Sequence, residues 1–428
     1  MLNYSMIQLL RRKGKKVDKE LRREIFNFYR PFRAVPCFLH RLLEKIRKRT
    51  RKLPILIEYN DRNFMMGSSE LKKVKCHNLK EHPSISCYSA KLCIKDIEYL
   101  LDKSPHIKKI HYDRKVTTLL DTATPSIHAD QLQDNGLTGK DKTIAIIDTG
   151  IHPHEDLNGR ITGFKDFVGN KTEAYDDNGH GTHCAGDAAG DGTLSDGKYK
   201  GPAPEANLVG VKVLNKMGAG SLSTVIEGIE WCIENRTEYG INILSLSLGS
   251  DARESAKDDP VVKAVNAAWD QGLVVCVAAG NSGPEEQTIG SPGTSPKVIT
   301  VGAADDNDTT DRSDDTVASF SSRGPTIDGL TKPDLLTPGV DIVSLRAPRS
   351  FIDKTNKSAR VDTNYISLSG TSMATPICAG VVAQLIQNNP DLTPDQVKEQ
   401  LMEACEDLGL PDNVQGSGYL NAARLMES

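Results

Sequence analysis

No apolar run in this chain approaches the ~18 residues that a membrane-spanning helix needs; the longest, such as residues 272–279, break off well before that. No Cys-x-x-Cys pair occurs among Cys37, Cys76, Cys87, Cys93, Cys184, Cys232, Cys276, Cys378 and Cys405. Their number is odd and most stand inside apolar patterns, as in Val274-Val275-Cys276-Val277. A zinc site and a disulfide framework are therefore disfavoured, and reduced, buried thiols are expected. An export leader is disfavoured, because Arg11-Arg12-Lys13 follow the mostly apolar opening stretch, the reverse of the order such a leader requires. These absences make the cytoplasm the expected location, although non-classical release would leave no mark in the sequence. No internal repeat or long low-complexity segment is visible.

What is present begins with charge. The formal net charge of −4 conceals a lopsided distribution. Residues 1–52 carry 17 Lys and Arg against 4 Asp and Glu, whereas residues 120–428 carry 24 against 45. A front this basic admits contact with nucleic acid or an anionic surface through residues 1–52.

Three regions follow from pattern. Residues 1–52 read as basic helical pieces, with Ile7, Leu9 and Leu10, then Phe38, Leu39, Leu42, Leu43 and Ile46, spaced for one face, and with Pro31 and Pro36 between them. Residues 53–119 read as a small α/β module. Strand character is found at 55–59, 71–76 and 107–112, and a helix over 94–101 ends before Pro105. Residues 120–428 alternate apolar strands (143–147, 208–213, 241–247, 273–278) with helical stretches (222–235, 261–271), which predicts a mostly parallel, doubly wound α/β sheet buried on both faces.

Three blocks in this last region carry chemistry: Asp148-Thr149-Gly150, His180-Gly181-Thr182-His183-Cys184-Ala185-Gly186 and Gly370-Thr371-Ser372-Met373-Ala374-Thr375-Pro376. A serine nucleophile needs an imidazole to take its proton and a buried carboxylate to orient that imidazole. Asp148 ends an apolar strand, where doubly wound folds place their sites. Ser372 sits at the start of a helix, where free N–H groups favour a developing oxyanion. Alone, Asp148 would be a solvated strand end, His180 a packing residue and Ser372 a helix cap. The order Asp, His, Ser distinguishes one class of serine hydrolase from two others.

With Asn281 in Ala278-Ala279-Gly280-Asn281-Ser282-Gly283 added, residues 137–425 resemble the subtilase family. The resemblance implies a subtilisin-type fold preceded by a pro-domain, and a serine endopeptidase that works through an acyl-enzyme and is made as a self-inhibited zymogen. By it, His180 is the general base, Asp148 its partner and Asn281 an oxyanion donor, while His183 is structural. It also implies an extended polypeptide substrate lying between Gly218-Ala219-Gly220 and Ser247-Leu248-Gly249. The primary pocket would be walled by the latter segment and by Ala278, Ala279 and Gly280, roomy enough for broad specificity with an apolar preference. The N-terminal segment would be the enzyme's own inhibitor, released by cleavage after Leu119 or Leu120. Catalysis would need no cofactor. A structural calcium ion is conceivable at Asp156, Asp191 and Asp196, although the calcium loop common in the family does not match here; solvated turn carboxylates are the alternative. Cys184, four residues after His180, has a counterpart in the proteinase K branch. Esterase or peptide-ligase chemistry would use the same residues, and a scaffold without activity would have no need of all four.

Overall fold

The computed structural model describes residues 4–30, 32, 40–60, 64–82, 86–112 and 120–426. Its contacts divide the chain into two units, Met1–Val116 and Thr117–Ser428, each with a hydrophobic core of its own.

In the first unit, Leu53, Ile55, Ile57 and Tyr59 alternate along the strand Lys52–Tyr59 and bury one face of it. The sheet order is His77–His82, Cys87–Cys93, Lys52–Tyr59, Ile107–Tyr112, every pairing antiparallel. An antiparallel sheet needs a cover on only one face. Leu9 and Leu10 of the helix Ser5–Lys13, Leu21, Ile25 and Phe28 of Lys19–Tyr29, and Ile94, Ile97, Leu100 and Leu101 of Ile94–Lys103 join its core. The helices of residues 1–52 thus share one core with the module that follows. Several basic side chains are committed within the unit: Lys13 Nζ donates to Leu101 O at 2.9 Å, Lys16 Nζ to Ile107 O at 2.6 Å, and Lys48 Nζ pairs with Glu98 at 2.9 Å. Fewer cations remain for an external anion than the raw count suggests.

Some local expectations are corrected. Residues 71–76 do not form a strand: Leu71 closes the helix Phe64–Leu71, whose inward face is Phe64, Gly67 and Leu71, and the strand follows at His77–His82. A helical spacing of three and four residues outweighed a short alternation. Ile46 is exposed rather than on the buried face. Pro31, Pro36, Phe38, Leu39 and Leu119 lie outside the described residues, and Leu120 begins the helix Leu120–Ser126.

The second unit is built on a ten-stranded sheet. Its path runs Cys405–Glu406, Tyr419–Leu420, Leu335–Pro338, Ile299–Asp305, Val274–Ala278, Ile241–Leu246, Thr143–Asp148, Asn207–Lys212, Ile161–Asp166, with Thr316–Val317 paired on Ile299–Asp305. From Tyr419–Leu420 to Ile161–Asp166 all neighbours are parallel. Thr143–Asp148 and Val274–Ala278 are buried at every position, as strands covered on both faces must be. Two helix pairs provide the cover: Thr371–Asn388 with His180–Ala189, and Leu222–Glu234 with Pro260–Asp270.

From Thr143–Asp148 the chain builds outward on one side, then returns to lay Ile241–Leu246 on the other. Such a reversal opens a crevice at the carboxyl ends of the two central strands. Asp148 ends the first of them and residues 247–249 leave the second.

Candidate active site

Asp148 is fully buried, and both its carboxylate oxygens face His180 Nδ1, at 2.8 and 2.9 Å. Thr149 N donates to Asp148 Oδ1 at 2.7 Å. Burial opposes a charge on His180, yet Asp148 beside it raises the imidazole well above its ordinary value of 6.5. The helix His180–Ala189 approaches the strand end closely because residue 181 is glycine; a Cβ there would lie 2.3 Å from Gly150 O.

Asp176, which sequence reasoning missed, fixes the start of that helix. Its Oδ1 accepts from Thr149 Oγ1 (3.0 Å), Asn178 N (3.0 Å) and Gly179 N (2.8 Å), and its Oδ2 from Thr182 N (2.9 Å) and Thr182 Oγ1 (2.7 Å). The available signal was an acidic residue just ahead of a helix N-terminus. Lys212, also missed, is 1% exposed and donates to Thr149 O at 2.6 Å and to Asp177 Oδ1 at 2.8 Å, tying the strand end to the loop before His180. His183 is buried between Asp187 (2.9 Å) and the carbonyls of Ile342 and Ile366 (3.1 Å each), a structural position as expected.

Ser372 is the second residue of the helix Thr371–Asn388, which begins ahead of Pro376 rather than after it. Pro376 has no N–H to give to the carbonyl four residues earlier. Ser372 O accepts instead from Ser247 Oγ at 2.7 Å and from Cys184 Sγ at 3.4 Å. A nearby proline, with a serine and a cysteine distant in sequence, thereby fixes the backbone at Ser372. The Ser372 hydroxyl donates to Ser247 O at 3.2 Å. The Ser372 N–H lies in the first helical turn, where no intrahelical acceptor exists.

Asn281 Oδ1 accepts from Thr371 N at 2.9 Å and from Thr371 Oγ1 at 3.0 Å. With the amide oxygen doubly anchored, Nδ2 is left to donate into the cleft. Cys184 Sγ lies 3.8 Å from His180 Nδ1, and burial pushes its thiol up to about 11.

His180, Asn281, Thr371 and Ser372 line a cavity of about 640 Å³. Gly218, Ala219, Gly220, Ser247, Leu248, Gly249 and Gly280 line it as expected. Ala279 does not: it is fully buried, its N–H bonded to Val301 O, while Ala278 stands at the wall as part of the expected set. The lining also includes Leu214, Phe351 and Ile352, which sequence reasoning did not single out.

Asp156, Asp191 and Asp196 do not gather as a group of ligand spacing. Asp156 is fully buried and its oxygens accept from Leu194 N (3.0 Å) and Tyr365 OH (2.6 Å), while Asp191 Oδ1 accepts from Thr193 N at 2.8 Å. Calcium needs six to eight oxygens directed at one point. Among the described residues the only His/Cys/Asp/Glu group of ligand spacing is Asp148, His180 and Cys184 themselves. Among the same residues, no helix is long and apolar enough to cross a membrane.

Residues 139–418 match the model of the subtilase family. The chain is 52% identical over 99% of its length to serine protease AprX of Bacillus subtilis, covering 98% of that protein. It is 35% identical to the M-protease of Shouchella clausii, over 86% of this chain and 85% of that one. A crystal structure of a cold-adapted subtilisin-like serine proteinase superposes with a TM-score of 0.51 at 32% identity, covering 66% of this chain and 88% of the other. Sequence, sheet order and the crevice at the strand reversal agree, and the chain belongs to the subtilase family, as a subtilisin-like serine protease.

Proposed function

We propose that the chain is an endopeptidase in which Ser372, His180 and Asp148 form the catalytic triad and Asn281 Nδ2 and Ser372 N the oxyanion hole. The observation that carries this reading is the buried Asp148 held on His180 Nδ1, facing the same cleft as Ser372 and an Asn281 whose amide orientation is fixed. With Nδ1–H donating to Asp148, His180 Nε2 is the lone-pair atom. Ser372 Oγ exchanges Ser247 O for Nε2 as the partner of its proton, and such contacts commonly tighten only when substrate is bound. Ser372 Oγ then attacks the scissile carbonyl, Nε2 takes the proton and returns it to the leaving amine, and water repeats the cycle on the acyl-enzyme. An extended peptide pairs its backbone with residues 218–220 and 247–249, main-chain bonds giving affinity and side-chain pockets preference. The pocket bounded by Leu248, Ala278 and Gly280 takes an apolar residue on the acyl side, with broad tolerance.

We further propose that the first unit is an inhibitory pro-segment removed after Leu119 or Leu120, and that the protein works in the cytoplasm, with non-classical release compatible with its sequence. Casein hydrolysis by wild type and by Ser372→Ala, with N-terminal sequencing of both proteins, tests these readings. Loss of activity and of processing together in the variant is the expected result. Retained hydrolysis would remove Ser372 from the mechanism.

A further inference from the structure

The strands Ile342–Leu345 and Tyr365–Leu368 pair antiparallel, yet residues 346–364 separate them where two to five would close a hairpin. This excursion is firmly built. Asp353, 3% exposed, pairs with Arg360 Nε at 2.6 Å and with Arg346 Nε, and accepts from Arg349 N at 2.8 Å. Ser350 caps the short helix Phe351–Thr355. Phe351 N and Ile352 N donate to Asp177 O and Asn178 O, both at 2.9 Å, which fastens the excursion to the segment just ahead of His180. The approach is close: a Cβ at Gly179, whose φ is +104°, would lie 2.6 Å from Ser350 Oγ. The outcome is that two half-exposed apolar side chains, Phe351 and Ile352, stand in the cleft wall with His180, Thr149 and Leu214.

Successive side chains of an extended peptide point to opposite sides. If one residue enters the pocket at Leu248 and Gly280, its N-terminal neighbour turns towards His180. We infer that Phe351 and Ile352, held by Asp353, form with Leu214 a specificity wall for the substrate residue immediately before the scissile-bond residue, selecting a large apolar side chain there. The inference rests on the proteolytic reading above.

Two peptide p-nitroanilides, identical except for Leu or Ala before a scissile-bond Phe, test it through the ratio of their kcat/KM values. Wild type should prefer Leu by about tenfold, the scale of apolar pocket discrimination. Ile352→Ala and Phe351→Ala should each bring the ratio towards one, and Ile352→Trp, by filling the space, should reverse it. Asp353→Asn should lower the ratio as well, and restoring a carboxylate with Asp353→Glu should recover part of it, which a general loss of stability would not do. A wild-type ratio near one, or a ratio unchanged in the Ile352 variants, overturns the inference. Failure of wild type to cleave either peptide while Ser372→Ala behaves identically would overturn the proteolytic reading instead.

Discussion

Replacing Thr371 by valine should slow turnover without touching any group that contacts substrate. The side chain is fully buried; its Oγ1 donates to Asn281 Oδ1 at 3.0 Å and accepts from Gly280 N at 3.2 Å. Valine keeps the shape, so the change is the loss of two hydrogen bonds and the stranding of the Gly280 N–H. Each neutral bond is worth about 1 kcal/mol net, and a stranded buried donor costs about 1–3 kcal/mol. Most of that falls on stability. The catalytic share is bounded above by removal of the whole Asn281 donor, about 2.7–4 kcal/mol, the scale known for the corresponding change in a subtilisin. Because Thr371 N at 2.9 Å still anchors Oδ1, the amide loses one of two restraints. A kcat lower by roughly three- to tenfold is expected, about 0.6–1.4 kcal/mol, with KM little altered. The decisive assay is a double-mutant cycle on a peptide p-nitroanilide. In an Asn281→Ala background, Thr371→Val should have almost no further effect on kcat, since the amide it orients is gone. Full additivity of the two changes would refute the claim that Thr371 acts through Asn281.

Thiol-directed mercurials should inactivate the enzyme slowly, because the thiol beside the imidazole, Cys184, is buried and pushed up to about 11; Cys184→Val should be active and resistant, and persistent inhibition would implicate another cysteine. His180 must be neutral to accept the proton, and Asp148 raises it well above 6.5, so the acid limb of kcat/KM should lie above pH 6.5; a limb at or below that value contradicts the pairing. Asp176→Ala leaves five donors around one buried carboxylate without an acceptor and should cost more than ~3 kcal/mol in denaturant unfolding, so a change under 1 kcal/mol would show that water replaces the carboxylate. Residues 1–119, added to processed enzyme, should inhibit more tightly at low than at physiological salt, because opposite net charges attract over a screening length of ~8–10 Å; salt-independent inhibition would exclude that attraction.

The sequence by itself determined the family and the candidate residues. Asp148, His180, Ser372 and Asn281 each stand in a short block of small residues whose reason is local: a strand end, a glycine-flanked helix start, a turn. The alternation of apolar strands and helices likewise carried the parallel sheet, because strands buried on both faces advertise themselves as continuous apolar runs. Periodicity served less well where elements are short, and residues 71–76 went to the helix and turn because a few alternating residues lose to a helix face with an anchor such as Leu71. What only the tertiary structure decided are relations across long separations. Nothing local at Ser247 and Cys184 shows that both bear on the carbonyl of Ser372, which Pro376 leaves without its helical donor. Nor does the pattern at Asp156 show that Leu194 N and Tyr365 OH donate to its oxygens, or that Ala279 is buried in the core while Ala278 stays at the wall. Hydrogen bonds and ion pairs between distant segments depend on where the sheet reversal and the 346–364 excursion bring the backbone, and that is set by the packing of the whole core, which no window of sequence contains.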